Sequence, residues 1–135
     1  MYRVTEIIDF CYGHRLLNYQ GKCAHLHGHN GRAEIVLAAP ALNAQSMVAD
    51  FSDIARIVKG WIDQNLDHRM LLHRDDPLVP ILRRADEPVF LMDADPTAEA
   101  IARLIYEYAV AQGLQVGEVR LWETDTSVAS YAPGA

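Results

Sequence analysis

Two stretches of this chain alternate apolar and polar residues over more than a dozen positions, and both place histidines at apolar positions. From Tyr2 to Leu16, Val4, Ile8, Phe10, Tyr12 and His14 share one parity. From Cys23 to Ala39, His27 and His29 share parity with Ala33, Ile35, Leu37 and Ala39. On extended strands alternate side chains point to one face, so both stretches read as strands whose histidines face the core. The turn residues Asn18-Tyr19-Gln20-Gly21 between them predict a hairpin. Imidazoles held on a buried face need partners. Three of them from two adjacent strands, His14, His27 and His29, suit a catalytic Zn²⁺, which takes three protein ligands and keeps a fourth position open. Spacing alone leaves His25, of the same parity, eligible as well.

The remaining pattern adds helices and a second hairpin. After the loop at Pro40 to Ser46, Asp50 or Ser52 caps a helix running to about Asn65, with Ile54, Ile57, Val58, Trp61 and Ile62 on one face. A second helix is expected after Asp95-Pro96, with Asp95 as N-cap, Ile101, Leu104, Ile105 and Tyr108 on its apolar face, and Gly113 as its end. Between them, Asp76-Pro77 opens a short helix to Arg84, and Val89 to Met92 forms a brief strand. Val116 to Glu123 and Ser127 to Tyr131 form the final hairpin, ahead of a loose tail at Ala132 to Ala135. The order predicts one α+β domain over residues 1–135, an antiparallel four-stranded sheet with helices on one face. Such a sheet leaves edges exposed, and pairing with other subunits protects them.

Other residues carry chemistry. Cys23 lies next to Lys22 and close to the histidines, which makes it a candidate base or nucleophile, while Cys11 reads as structural. Asp67-His68 at a helix end is a carboxylate that can orient an imidazole for proton transfer. Glu123 shares parity with Val119 and Leu121. Extending the buried face turns it inward, where it could accept from a flat heterocycle with two parallel N–H donors. A bulge or twist at the strand end would turn it outward instead. A net charge of −6 argues against broad nucleic-acid binding. Apolar runs too short for a membrane span and a start without a basic-then-apolar leader fit a cytoplasmic protein. Two cysteines make no disulfide framework.

These residues together resemble the 6-pyruvoyltetrahydropterin synthase / 6-carboxytetrahydropterin synthase family. Phe10 to Leu16 looks like its first zinc-histidine segment. Gly21 to Asn30 is similar to its Cys-x3-His-Gly-His signature, which selects His27 and His29 over His25. Leu66-Asp67-His68, Pro96-Thr97-Ala98-Glu99 and Trp122-Glu123-Thr124 resemble its later motifs. The resemblance implies the T-fold, or tunnelling fold, whose subunits pool strands into an oligomeric barrel with active sites between neighbours. It implies a homohexamer of two trimers, zinc on His14, His27 and His29, Cys23 as base, Asp67 and His68 as a second proton-transfer pair, and Glu123 with Thr124 at the pterin. Three departures stand out: Ala100 where Asn is usual, Gly31 where an aromatic is expected, and a long segment from Arg69 to Asp95.

The activity implied is zinc-dependent conversion of 7,8-dihydroneopterin triphosphate to 6-carboxy-5,6,7,8-tetrahydropterin, with release of acetaldehyde and triphosphate, a step that feeds queuosine synthesis. One alternative stops at 6-pyruvoyltetrahydropterin after triphosphate elimination. Another is a non-catalytic zinc-binding homologue. A cysteine hydrolase fits less well, because Cys23 has no recognisable oxyanion hole.

Overall fold

The structure is a computed structural model that describes residues 1–134. The last residue of the expected tail, Ala135, lies outside the described residues. Two long strands, β1 (Tyr2–His14) and β2 (His27–Ala39), form an antiparallel hairpin in register from Tyr2 opposite Ala39 to His14 opposite His27. Both strands are shorter than the alternation predicts, because the connection is held by other means. Asp95 accepts from the amides of Leu17 and Asn18 at 2.9 and 3.2 Å, and Lys22–Ala24 forms a 3-10 turn. The Leu16 amide donates to the Cys23 carbonyl at 2.8 Å, so Cys23 sits on a turn rather than on a strand.

The helical run after the loop begins at an Asp50 cap, whose carboxylate accepts from the Ser52 amide at 2.8 Å. It continues as α1 (Phe51–Ile54), a π-helical turn (Ala55–Lys59) and α2 (Gly60–Asn65). The long segment that follows corrects the four-stranded expectation. It builds β3 (Arg69–His73), α3 (Leu78–Arg84) and β4 (Val89–Met92). β3 pairs in parallel with β1, and β4 in parallel with β3. α4 (Ala98–Ala111) follows, then β5 (Val116–Thr124) and β6 (Ser127–Tyr131). The sheet is therefore mixed and six-stranded, in the order β4-β3-β1-β2-β5-β6.

The second helix is capped two residues later than the sequence suggests. Thr97 is the N-cap, its hydroxyl accepting from the Ala100 amide at 3.1 Å, which frees Asp95 for the loop amides. Gly113, at φ 92°, follows its end as expected. Ile54, Val58 and Ile62 of the first helical run join Ile101, Ala102, Ile105 and Ala109 of α4 in one core. That core rests on Ile8, Phe10, Tyr12, Ala33, Ile35 and Leu37, the face that also carries the histidines. At about 25 cal/mol per Å² of apolar surface removed from water, these fully buried aliphatic side chains supply most of the drive for helix docking.

One buried charge ties the added segment to Arg15, the residue that follows β1. Asp76 is 2% exposed, accepts a two-pronged hydrogen bond from Arg15, and accepts from the amide of Leu78, the first residue of α3, at 2.8 Å. Burial pushes its carboxyl up, but Arg15 and the Leu78 amide outweigh this and hold it below the ordinary range. The unfolded chain, at about 3.9, therefore takes up the proton first. The stabilisation is complete above that value and is lost as pH falls through the folded value. Asp76→Ala leaves Arg15 unpaired and is expected to cost about 3 kcal/mol near neutral pH. The cost is read as a lower midpoint in urea unfolding, and the gap to the wild type should narrow in acid. A gap unchanged by acid would show that the carboxylate is not the stabilising group.

Candidate metal centre and adjoining cavity

β1 lies between β2 and β3, so its last residue is pinned on both sides: His14 is opposite His27 on one strand and Leu71 on the other. That position leaves His14 2% exposed. Its Nδ1 lies 2.6 Å from the Pro96 carbonyl oxygen, just before α4. A carbonyl only accepts, so Nδ1 carries the proton and Nε2 presents its lone pair. His27 is oriented in the same way, with Nδ1 donating to the carbonyl of His25 at 2.7 Å. His25 is thus excluded from the trio and serves it through its backbone; its side chain is exposed.

The three rings converge. The ring centres of His14 and His27 are 4.5 Å apart, and each lies 5.1 Å from that of His29. Nε2 of His14 and Nε2 of His29 are 3.2 Å apart, and one nitrogen from each of the three rings falls within a 4.8 Å cluster. Ligand nitrogens on a tetrahedral zinc at about 2.05 Å stand about 3.3 Å from one another. The trio therefore fits a zinc-sized ion, with outer carbonyls fixing two of the three tautomers. Burial, above all, holds His14 below the ordinary imidazole range, and its two histidine neighbours add to this against the Pro96 carbonyl. A neutral imidazole is the form that ligates metal.

A cavity of about 540 Å³ opens beside the trio, lined by His14, Cys23, Thr97, Glu99 and Glu123. Glu123 settles the orientation left open by its sequence. The β5–β6 pairing does shift register between Trp122 and Thr124, yet the carboxylate still turns inward, with Oε2 3.8 Å from His29 Nε2. The Thr97 and Glu99 contributions were missed as site residues because they lie on a helix start far away in sequence; the short Pro-Thr-x-Glu motif was the available signal.

Asp67, His68 and Thr124 do not join this cavity within one chain. Asp67 accepts from the Cys11 amide at 2.9 Å and from His68 Nδ1 at 2.8 Å, an oriented pair whose imidazole side chain is 78% exposed. Burial raises the Asp67 carboxyl, but the Cys11 amide and His68 outweigh it and the net shift is downward. The pair and Thr124 line a separate cavity of about 660 Å³ with Cys11, Arg32 and Trp122.

The three departures have local explanations. A Cβ on Gly31 would fall 2.8 Å from Cε1 of Tyr12, so the Tyr12 ring occupies the space that a side chain at 31 would take. Ala100 lines a different cavity, with Phe90, Leu91 and Arg103, and so does not border Cys23. The long segment is the source of β3 and β4.

No helix among the described residues is long and apolar enough to cross a membrane. Comparison with known proteins places the chain. The sequence profile of the family described as 6-pyruvoyl tetrahydropterin synthase matches residues 3–134. A Rickettsia felis protein named 6-carboxy-5,6,7,8-tetrahydropterin synthase is 37% identical over 92% of this chain and 95% of its own. A Haemophilus influenzae protein of the same name is 30% identical over 97% and 99%. Among solved structures, an uncharacterised Wolinella succinogenes protein superposes with a TM-score of 0.79 at 27% identity, covering 98% of both chains. The Caenorhabditis elegans 6-pyruvoyl tetrahydropterin synthase shares the fold, with a TM-score of 0.73 at 19% identity over 98% of this chain and 96% of that one. With a T-fold subunit and motifs matched along almost its whole length, this chain belongs to the 6-pyruvoyl tetrahydropterin synthase family.

Proposed function

We propose that the protein is a zinc-dependent 6-carboxy-5,6,7,8-tetrahydropterin synthase, acting with water on 7,8-dihydroneopterin triphosphate and releasing acetaldehyde and triphosphate. The observation that carries this reading is the convergence of three histidine nitrogens, with one of the three rings, that of His14, bordering a cavity that Cys23 and Glu123 also line. The names of the relatives at 30% and 37% identity favour the carboxy product over the pyruvoyl one.

His14, His27 and His29 hold the metal in this reading. Bound zinc supplies a Lewis acid for the substrate's side-chain oxygens, which makes an adjacent C–H proton easier to remove. Cys23, half-buried on its 3-10 turn, faces the same cavity and takes that proton. Glu123, whose carboxylate lies 3.8 Å from His29 Nε2, accepts the two parallel N–H donors of the pterin in this reading, and Thr124 follows it at the strand end. Asp67 fixes His68 through Nδ1 and leaves Nε2 facing outward, set to exchange a proton with a substrate held by another subunit. The separation of this pair from Cys23 within one chain supports a site completed between subunits. The homohexamer of two trimers is what the resemblance to the family implies for that assembly.

Replacing His27 or His29 with alanine is expected to abolish one-to-one zinc binding, whereas His25→Ala retains it, as measured by metal analysis after dialysis. Zinc loss with His25→Ala alone would overturn the choice of ligands. Cys23→Ala is expected to keep the zinc and lose about 10²–10⁴-fold in turnover. Product analysis with 7,8-dihydroneopterin triphosphate decides the reaction. Acetaldehyde supports the proposal, a pyruvoyl product moves the protein to the related synthase, and no turnover by zinc-loaded protein rejects catalysis. Light scattering should report a hexamer, and an active monomer would remove the shared-site part of the reading.

A further inference from the structure

Two of the three histidines have an oxygen that fixes their outer nitrogen, the Pro96 carbonyl for His14 and the His25 carbonyl for His27. His29 has none. Among the described residues its side-chain polar contacts all run through Nε2, at 3.2 Å to His14 and 3.8 Å to Glu123. A metal-ligating imidazole is normally oriented by a partner on its outer nitrogen, because the torsion that turns the ring is broad. What stands beside His29 instead is Tyr12, its register partner on β1, with ring centres 5.6 Å apart and planes tilted by 47°. The same ring meets His14 edge-on at 5.3 Å and stacks on Phe10 at 5.3 Å. We propose that Tyr12 is a positioning residue whose ring, rather than its hydroxyl, holds the His29 imidazole in its ligating orientation, the task a carbonyl performs for each of the other two.

The inference rests on the zinc reading above, and the packing around Tyr12 supplies its mechanism. A side chain can orient its neighbour only if it cannot move itself. Tyr12 is 1% exposed, with Phe10 stacked on its ring and the edge of His14 against it. The backbone of Gly31 closes a further side, where an added Cβ would fall 2.8 Å from Tyr12 Cε1 and 3.3 Å from Cδ1. A ring confined in this way has no gap to shift into. Ring centres 5.6 Å apart are in contact, so His29 cannot be re-aimed without giving that contact up. The hydroxyl argues in the same direction. It is the one buried side-chain polar atom among the described residues that has no hydrogen-bond partner. Such a group costs stability rather than adding to it, so the value of a tyrosine here lies in the shape of its ring.

The test compares zinc affinity, the visible spectrum of cobalt placed in the same site, and urea unfolding of the metal-free protein. Tyr12→Phe keeps the ring and is expected to match the wild type in zinc affinity, with a urea midpoint no lower. Tyr12→Leu keeps apolar bulk without a flat face. Its zinc affinity should fall about ten- to a hundred-fold, the usual range for a lost outer partner, and its cobalt d–d bands should shift. Gly31→Ala presses on the ring and should weaken zinc as well, but the same change made in Tyr12→Leu should add little, because its effect passes through the ring. Leu37→Ala controls for stability alone. Leu37 is 1% exposed and pairs with Val4, ten residues before His14 on β1, so its void opens at the far end of the hairpin. It should lower the urea midpoint and leave zinc affinity and the cobalt spectrum as in the wild type. Wild-type zinc affinity in Tyr12→Leu would overturn the proposal while leaving the metal site standing. So would equal losses in Tyr12→Phe and Tyr12→Leu, which would move the role to the hydroxyl. Equal losses in Tyr12→Leu and Leu37→Ala would reduce Tyr12 to core packing and overturn it too. A wild type that takes up no zinc would overturn the metal reading and this inference together.

Discussion

The hydrogen bond from His14 Nδ1 to the Pro96 carbonyl joins the last residue of the central strand to the start of the second long helix. Much of the site depends on it. It sets the tautomer of His14, aims Nε2 at His29, and fixes where Thr97 and Glu99 enter the cavity wall. Asp95, directly before Pro96, holds the loop that leads to Cys23 through the amides of Leu17 and Asn18. Three short contacts around one dipeptide thus couple metal ligand, cavity wall and thiol. The sheet makes this possible by placing β1 between two partners, which removes the freedom a strand end normally has.

The central hairpin and its histidines were legible in the sequence because alternation is a local signal, carried through most of its thirteen residue pairs. The first helical run was legible for the same reason, through its apolar stripe and Asp50 cap. β3 was not legible. Met70, Leu71 and Leu72 are too few to show a period, and the pairing of Arg69, Met70 and Leu71 with Tyr12, Gly13 and His14 joins residues distant along the chain. Parallel pairing of that kind leaves no turn motif to read. The strand ends at 15–26 were misjudged because alternation persists through Leu16 and from Cys23. What stops the ladder is a carboxylate at Asp95, about eighty positions away.

The candidate site divides along the same line. His14, His27, His29 and the inward turn of Glu123 follow from parity, and the structure brings them together with Cys23. Tyr12 was read only as a core residue, since nothing in a sequence says that a buried hydroxyl will lack a partner. Asp67 and His68 were legible as an oriented pair but not as a pair remote from Cys23 in the same chain, because their placement depends on the unforeseen strand that follows them.

The contact between Tyr12 and Gly31 has a consequence for how such chains diverge. The ring of one residue fills the volume above the other, so what packing constrains is their combined size rather than either identity. An aromatic at both would collide, and a small residue at both would leave a void beneath the histidines. Any lineage moving between the two arrangements must change both positions nearly together or pass through a weakened intermediate. A column-by-column comparison would score each position as an unrelated loss, although together they amount to one exchange of volume across the hairpin.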